Sequence, residues 1–303
     1  MKILFCTLPL ALALLSPTAL ADTPINQTHA LAPNAELTVR NVAGAITVTT
    51  WDKPEVRITG SLGDNVRKLE IKGDAHDLTI AVKGPKDGDS GWLNWGDDNS
   101  MGPSTLVLTV PKGVELNLKS VSARIQATGL AGGELEAKSV SGNIVIDATS
   151  PEVDIDSVSG DVRLTGAMQE VEVTTVSGDI SVAKASHKAA TQSVSGDIHI
   201  IGGPLRSVHM ESVSGDLYLD GTLTTHAQAK LHSMSGDIHL TLPGQPAATL
   251  TASSFSGDIH SAWGKVVQPQ YGPGSSLDTT IGNGGAQVSL KTFSGDVDIR
   301  QGR

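Results

Sequence analysis

The stretch SVSGDVRLTGAMQEVEVTTVSGDI, residues 157–180, decides the fold of this chain, because it begins and ends on the motif VSGD. Units of this kind return along the chain, and their successive starts differ by 18 to 21 residues, with one step of 38. Such regularity predicts stacked repeats, which together bury a core that no single unit can bury. The units are SVSARI (120–125), SVSGNI (139–144), SVSGDV (157–162), TVSGDI (175–180), SVSGDI (193–198), SVSGDL (212–217), SMSGDI (233–238), SFSGDI (254–259) and TFSGDV (292–297), with an outlying NVAGAI at 41–46.

Each unit also carries alternating apolar residues on both sides of its motif. Around Val158, Val153 and Ile155 lie five and three residues earlier, and Val162 and Leu164 lie four and six residues later. A spacing of two places side chains on one face of a strand. One unit is therefore predicted to be two short strands and two bends, and no segment shows a helical period of comparable strength.

These patterns predict an all-β protein, a single-stranded right-handed β-helix (solenoid) with coils of roughly 18–21 residues. A left-handed hexapeptide helix also has an 18-residue coil, but it needs an apolar residue every six positions. Counting from Val158, Leu164 fits this rule and Glu170 does not. A sandwich of hairpins would not demand a nearly constant period, so the β-helix is preferred.

The N-terminus predicts export. Lys2 is followed by an apolar run at 7–17 and by small residues at Ala19 and Ala21, the layout of a signal peptide over 1–21. The apolar run is too short to span a bilayer, so no membrane span is expected after cleavage. Cys6 is the one cysteine of the chain, so the exported part is predicted to have no disulfide.

The rest of the chain is predicted to be a flexible leader over 22–30 and one β-solenoid domain over 31–303. Within that domain, 31–119 is predicted to form irregular N-terminal coils and 120–303 the VSGD repeats. The Gly-, Asp- and Ser-rich stretch 84–104 predicts a long loop. The span 261–287 is either an excursion from the stack or a degraded coil.

Composition excludes some partners. The formal net charge is −10 without a basic run, which argues against binding nucleic acid or an anionic membrane. Aromatic residues make up 3% of the chain, too few for a long sugar-stacking platform. We expect no cofactor.

Two longer segments and the VSGDI runs after them resemble a known family. The segments LTVRNVAGAITVTTWDKPEV (37–56) and LVLTVPKGVELNLKSVSARI (106–125) are similar to the bacterial adhesin-like β-solenoid family, exported or envelope domains of unknown function. The resemblance covers residues 31–303. It implies a single-stranded right-handed β-helix and a cell-envelope setting, and it brings no catalytic residues with it. A fold-level likeness does not settle function.

An aspartate follows the corner glycine in most units. In stacked coils these carboxylates would lie about 4.8 Å apart, and like charges that close repel by roughly 1 kcal/mol even in water. Either backbone N–H groups at the corner bind the carboxylates, or the ladder collects divalent cations such as Ca²⁺. The candidate metal ligands are Asp179, Asp197, Asp216, Asp237 and Asp258.

Other polar and aromatic residues suggest further sites. His199, His239 and His260 each stand two residues after a ladder aspartate, so Asp-x-His on adjacent coils either binds Zn²⁺ or forms a surface ladder of balancing side chains. Trp92 and Trp95, in the predicted loop, either contact a glycan or partner protein or cap an apolar end of the solenoid.

Catalytic motifs are absent from the sequence. There is no H-E-x-x-H and no P-loop, and Ser, Asp and His repeat with the coil, whereas a nucleophile occurs once in a special context. We predict a non-catalytic exported cell-envelope protein, periplasmic or at the cell surface, that is an adhesin-like scaffold or binding module for an envelope protein or surface glycan. The alternative is a polysaccharide-active lyase or hydrolase, although evenly spread carboxylates do not form a local acid–base pair.

Overall fold

The computed structural model of the protein describes residues 23–84, 101–270 and 273–302. The described residues form strands and no helix. The strands are Thr23–Ala30 (β1), Glu36–Trp51 (β2), Glu55–Leu62 (β3), Lys68–Gly73 (β4), Asp77–Lys83 (β5), Ser104–Pro111 (β6), Glu115–Ala131 (β7), Leu135–Ser139 (β8), Ile144–Ser159 (β9), Val162–Thr165 (β10), Met168–Ser177 (β11), Ile180–Ser195 (β12), Ile198–Ser214 (β13), Leu217–Ser235 (β14), Ile238–Pro243 (β15), Ala248–Ser256 (β16), Ile259–Ser261 (β17), Ser275–Ile281 (β18), Ala286–Ser294 (β19) and Val297–Gly302 (β20).

Successive coils of the VSGD region pair in parallel, as the predicted β-solenoid requires. Val162 of β10 pairs with Ile144 of β9 on one side and with Ile180 of β12 on the other. The residues that alternate inward, such as Val173 and Ile155, are completely buried. Each apolar side chain buried in this way stabilises the folded state by about 1.5–3 kcal/mol. Burial within the stack therefore stabilises the fold without a disulfide, since the chain has no cysteine after Cys6.

At the N-terminal end the coil order in space differs from the order in sequence. The coil formed by β2 pairs in parallel with β7 on one side and with β5 and β6 on the other. β5 and β6 therefore make the terminal coil, and antiparallel strands cover its outer edge, β4 on β5 and β3 on β6. This arrangement leaves the coil formed by β2 enclosed within the stack.

Two boundaries predicted for this region differ from the structure. The flexible leader predicted over 22–30 is wrong for 23–30, because Thr23–Ala30 form β1, which pairs antiparallel with β3 and buries Ile25. The predicted loop 84–104 overlaps the sheet at its end, since Ser104 already opens β6. Trp92 and Trp95 lie outside the described residues.

At the C-terminal end, too, the order of the coils in space differs from their order in sequence. β19 pairs with β14 on one side and with β16 on the other, and β20 likewise lies between β15 and β17. The last coil in sequence is thus inserted between two earlier ones. β18 pairs antiparallel with β16 and covers its outer edge, so the span 261–287 contains an excursion that caps the stack. Covering an edge strand in this way blocks unwanted pairing with other chains.

Candidate binding surfaces

A corner glycine separates the two strands of each VSGD coil. Gly196 has φ +133°, and a Cβ atom built on it would lie 2.3 Å from the carbonyl oxygen of Gly178 in the preceding coil. Glycine alone tolerates both this backbone angle and this approach. The corner therefore divides the outside of the solenoid into two surfaces, one on each strand of the coil.

The aspartates after the corner form a hydrogen-bonded ladder. The backbone N–H of Asp197 donates to Oδ1 of Asp179 at 3.0 Å, and the N–H of Asp216 donates to Oδ1 of Asp197 at 2.9 Å. Through the inserted C-terminal coil, the ladder runs in the order Asn143, Asp161, Asp179, Asp197, Asp216, Asp237, Asp296, Asp258. The sequence left open whether backbone N–H groups bind these carboxylates, and they do so as far as Asp296 along the ladder. At its end, Asp258 Oδ1 accepts a hydrogen bond from Nε2 of Gln268 at 3.1 Å.

One part of the ladder has the residue types of a metal site. Ligand atoms of Asp216, Asp237 and His239 lie within 4.8 Å of one another. One oxygen of each aspartate already accepts a backbone N–H, and Asp216 Oδ2 accepts the hydroxyl of Tyr218 at 3.1 Å. Cation binding by Asp179, Asp197, Asp216, Asp237 and Asp258 stays a prediction, which calorimetry with Ca²⁺ or Zn²⁺ would test.

Beside the ladder, three rings stack in what we call the ring column, His199, Tyr218 and His239. The His199 and Tyr218 centroids are 4.1 Å apart at an interplanar angle of 7°, and those of Tyr218 and His239 are 4.6 Å apart at 13°. Burial, followed by the charge of Asp216, raises the pKa of Tyr218 to about 12. Tyr218 therefore remains a neutral hydrogen-bond donor at ordinary pH.

The sequence suggested that the three histidines lie on adjacent coils, but in the structure they do not. Tyr218 lies between His199 and His239, and Asp298 of the inserted C-terminal coil lies between His239 and His260. His239 Nδ1 is 3.3 Å from Asp298 Oδ2. The predicted ladder of neighbouring Asp-x-His units is therefore wrong, because two coils with other residues separate them.

The ring column ends at His199, where the next coil places Ser181 opposite the imidazole. Ser181 is too small to cover a ring face, and His199 is exposed. Ile201, on the same strand, is 58% exposed. Together they border an open groove of about 210 Å³, which we call the ring groove, lined by His199, Ile201, Tyr218, Asp220, His239 and Thr241.

A second surface lies before the corner, where the apolar residue of each VSGD motif points outward. We call this column the apolar stripe; its side chains are 47–60% exposed. Phe255 and Phe293 stack at 4.8 Å between centroids. The sequence already indicated this outward orientation. In each unit the stripe residue stands three positions after a buried residue, as Val176 does after Val173, and an odd spacing along a strand places two side chains on opposite faces. The stripe comprises Val158, Val176, Val194, Val213, Met234, Phe293 and Phe255.

Parallel coils, edge-capping strands and exposed repeat-built columns define this protein as a repeat protein of the β-solenoid class. The chain belongs to the Toastrack family, DUF4097, which matches residues 33–300. No curated protein matches the sequence. In the part of the chain that the structure describes, no helix is long and apolar enough to cross a membrane.

Solved structures with a related fold come from several bacteria. A candidate adhesin from Bacteroides fragilis is 15% identical, with a TM-score of 0.46, and covers 92% of this chain and 98% of its own. A candidate adhesin from Parabacteroides merdae is 12% identical, with a TM-score of 0.44, covering 93% and 100%. A candidate lipid-binding protein from Parabacteroides distasonis is 13% identical, with a TM-score of 0.41, covering 93% and 97%. At these values the likeness says nothing about what this chain binds.

Proposed function

We propose that this chain is a non-catalytic exported cell-envelope protein, an adhesin-like module that binds a surface glycan in the ring groove. The observation that carries the proposal is the open groove that the stacked rings of His199 and Tyr218 line together with the exposed side chain of Ile201. Export rests on the predicted signal peptide over 1–21. The protein would then act in the periplasm or at the cell surface.

The groove offers the two kinds of contact that a sugar needs. Ile201 and the stacked rings of His199 and Tyr218 line the groove and supply apolar surface for the C–H face of a sugar ring. Asp220, which also lines the groove, supplies a carboxylate acceptor for sugar hydroxyl groups. A shallow site with an apolar floor and a few placed polar groups fits ligand binding in general.

The rest of the column holds this floor in place. Tyr218 stacks on His199 and donates its hydroxyl to Asp216, while His239 stacks on the other face of Tyr218 and contacts Asp298. Each ring is therefore fixed by a neighbour, so a ligand would not have to order the column on binding. This preorganisation favours a binding role for the groove.

The alternative of a polysaccharide-active enzyme has less support. A glycosidase needs two carboxyl groups in different environments, one protonated and one ionised. The ladder carboxylates instead repeat the same backbone hydrogen bond from coil to coil, as Asp179 and Asp197 show. Their equivalence favours a structural role for the ladder and binding, without bond cleavage, in the groove.

The test is the double variant H199S/I201A. It replaces both residues by those of the preceding coil, because Ser181 and Ala183 occupy the same columns, so folding should be retained. Purified protein is co-sedimented with peptidoglycan sacculi and with lipopolysaccharide aggregates in turn. Loss of the buried apolar contact predicts binding about tenfold weaker.

The matched control is H76A, which removes another histidine with a largely exposed side chain, 81% accessible, outside the ring groove. It should bind as the wild type does. No sedimentation of the wild type with either polymer, or equal binding by H199S/I201A, would refute the glycan proposal. Release of new reducing ends from the polymer would instead support the enzyme.

A further inference from the structure

We propose that the apolar stripe is the interface of a face-to-face homodimer, in which a second copy of this chain packs with its coils in the reverse order. The inference goes beyond the proposed function and uses a different surface from the ring groove. Its starting point is the exposure of seven apolar side chains, 47–60% each, in one continuous column. A contiguous exposed apolar patch of this kind marks an interaction site.

The stacking order of the coils defines the symmetry. The stripe passes through β9, β11, β12, β13, β14, β19 and β16 in that spatial order, and Val140 after β8 extends it by one coil. A two-fold axis that is parallel to the strands and lies between β12 and β13 reverses this order in the facing copy. Every column then still faces its own equivalent column.

This symmetry matches the shape of the stripe. Val194 faces Val213, Val176 faces Met234, and Val158 faces Phe293. The three stripe valines nearer the N-terminus, with Val140 beyond them, therefore meet the half that holds Val213, Met234, Phe293 and Phe255. Small branched side chains opposite large flexible or aromatic ones interdigitate, whereas two rows of large side chains would hold the sheets apart.

Charges beside the stripe match the same symmetry. Asp156 and Lys291 each stand two residues before the stripe residue of their own strand, so they lie in one column. Glu172 and Lys230 each stand four residues before it and lie in the neighbouring column. The reversed copy places Glu172 opposite Lys230 and Asp156 opposite Lys291. Each pair occurs twice in an isologous dimer. The carboxylate side chains are 60% and 48% accessible, and both lysines are exposed.

The other face-to-face symmetry is disfavoured. A two-fold axis along the solenoid would lay each coil on its own copy. The columns before the stripe would then face the columns after it, so Asp156 and Glu172 would lie opposite the side of the facing copy that carries the aspartate ladder. Juxtaposed like charges oppose association, so the reversed order is the arrangement that the charges select.

A lipid bilayer is a poorer occupant of the stripe. The aspartate ladder runs along one side of the stripe, and Asp154, Asp156 and Glu172 lie on the other side. Anionic lipid attracts basic segments and repels such carboxylates. Asp156 and Glu172 already pair with Lys138 and Lys188 of their own chain, at 3.0 and 3.4 Å, and a second copy adds the exposed Lys291 and Lys230 opposite them.

The contact is small, so the dimer should dissociate on dilution. Eight coils at about 4.8 Å and three columns about 13 Å wide give on the order of 500 Å² for each copy. That lies at the low end for specific protein interfaces. A monomer–dimer equilibrium is therefore expected, with the dimer prevailing only in concentrated protein.

The test is sedimentation velocity of the purified protein across a range of concentrations, for the wild type, K230E and E172K/K230E. The wild type should shift from monomer to dimer as concentration rises. K230E places a second carboxylate opposite Glu172, twice per dimer, and should raise the dissociation constant about tenfold. E172K/K230E exchanges the two charges and should restore the wild-type constant.

Two further variants keep the outcome clear. K53E makes the same charge change at an exposed lysine between β2 and β3, two strands that pair with none of the strands of the stripe, and should leave the equilibrium unchanged. V194D/V213D places carboxylates at the centre of the interface and should leave only monomer. A wild type that stays monomeric, a dimer indifferent to K230E, or no recovery in E172K/K230E would overturn the proposal. Flotation of the wild type with lipid vesicles, lost in V194D/V213D, would assign the stripe to a membrane and would also overturn it.

Discussion

Oδ1 of Asp179 accepts the backbone N–H of Asp197 at 3.0 Å, and the equivalent bond joins every step of the ladder from Asn143 to Asp258. Hydrogen bonds to an ionised acceptor contribute about 1.5–3 kcal/mol. Repulsion between exposed neighbouring carboxylates is only about 1 kcal/mol. The stabilisation by each hydrogen bond therefore exceeds the repulsion between neighbouring carboxylates, so the column of like charges stabilises the fold.

Replacing Asp197 by Asn or by Ala should separate charge from hydrogen bonding. D197N keeps an oxygen acceptor, as Asn143 does for the N–H of Asp161, so its free energy of unfolding should lie within about 0.5 kcal/mol of the wild type. D197A leaves the N–H of Asp216 without this acceptor and should lose about 1–2 kcal/mol. Urea unfolding followed by circular dichroism measures both. Equal stability of the two variants would show that the acceptor is not needed.

The corner glycines should resist substitution far more than a glycine in open space. G196A combines φ +133° with a Cβ atom 2.3 Å from the carbonyl oxygen of Gly178, and should lower the free energy of unfolding by about 3 kcal/mol or more. G132A is the matched control, because Gly132 has φ +99° but no atom within 4 Å of the added Cβ. It should lose about 1–2 kcal/mol, for backbone strain alone. Thermal unfolding that ranks G132A as the worse variant would contradict the packing argument.

The inserted C-terminal coil should be essential to the stack. Removing residues 286–303 takes away one parallel neighbour of β14 and of β15 and the parallel partners of β16 and β17. This exposes unpaired strand edges, so aggregation or loss of cooperative unfolding is expected. Removing residues 23–30 takes away β1, which among the described strands pairs only with β3, and should leave a folded protein of lower stability. Size-exclusion chromatography with urea unfolding distinguishes the two. A cooperative, monomeric 286–303 deletion would mean that the insertion is dispensable.

Tyr218 should make stability fall at alkaline pH. Burial first, and Asp216 second, raise its pKa from 10.0 to about 12. A group whose pKa is raised by folding contributes stability that is fully present below its unfolded pKa and is lost as pH rises through its folded pKa. The loss should therefore fall between about pH 10 and 12. Urea unfolding across this range should give a flatter profile for Y218F; identical slopes would exclude Tyr218 as the cause.

Part of the candidate site could be predicted from the sequence. Repetition placed Asp179 and Asp197 in one column, and their hydrogen bonds follow from that register. The same register places Tyr218 between His199 and His239, each two residues after its ladder aspartate, so the ring column could also be predicted. The contact of His239 with Asp298 could not, because the coil of Asp298 is inserted out of sequence order between those of His239 and His260.

The sequence by itself determined the solenoid, because each unit carries its own apolar alternation and all units from 139 onward carry a corner glycine. Only the tertiary structure decided the order of the coils at the two ends, where β2 lies between β6 and β7, and β19 lies between β14 and β16. Coils of equal width present equal edges, so the choice of neighbour depends on long-range pairing and on the capping strands β3, β4 and β18. The same long-range pairing aligns the outward valines of separate repeats into one apolar stripe.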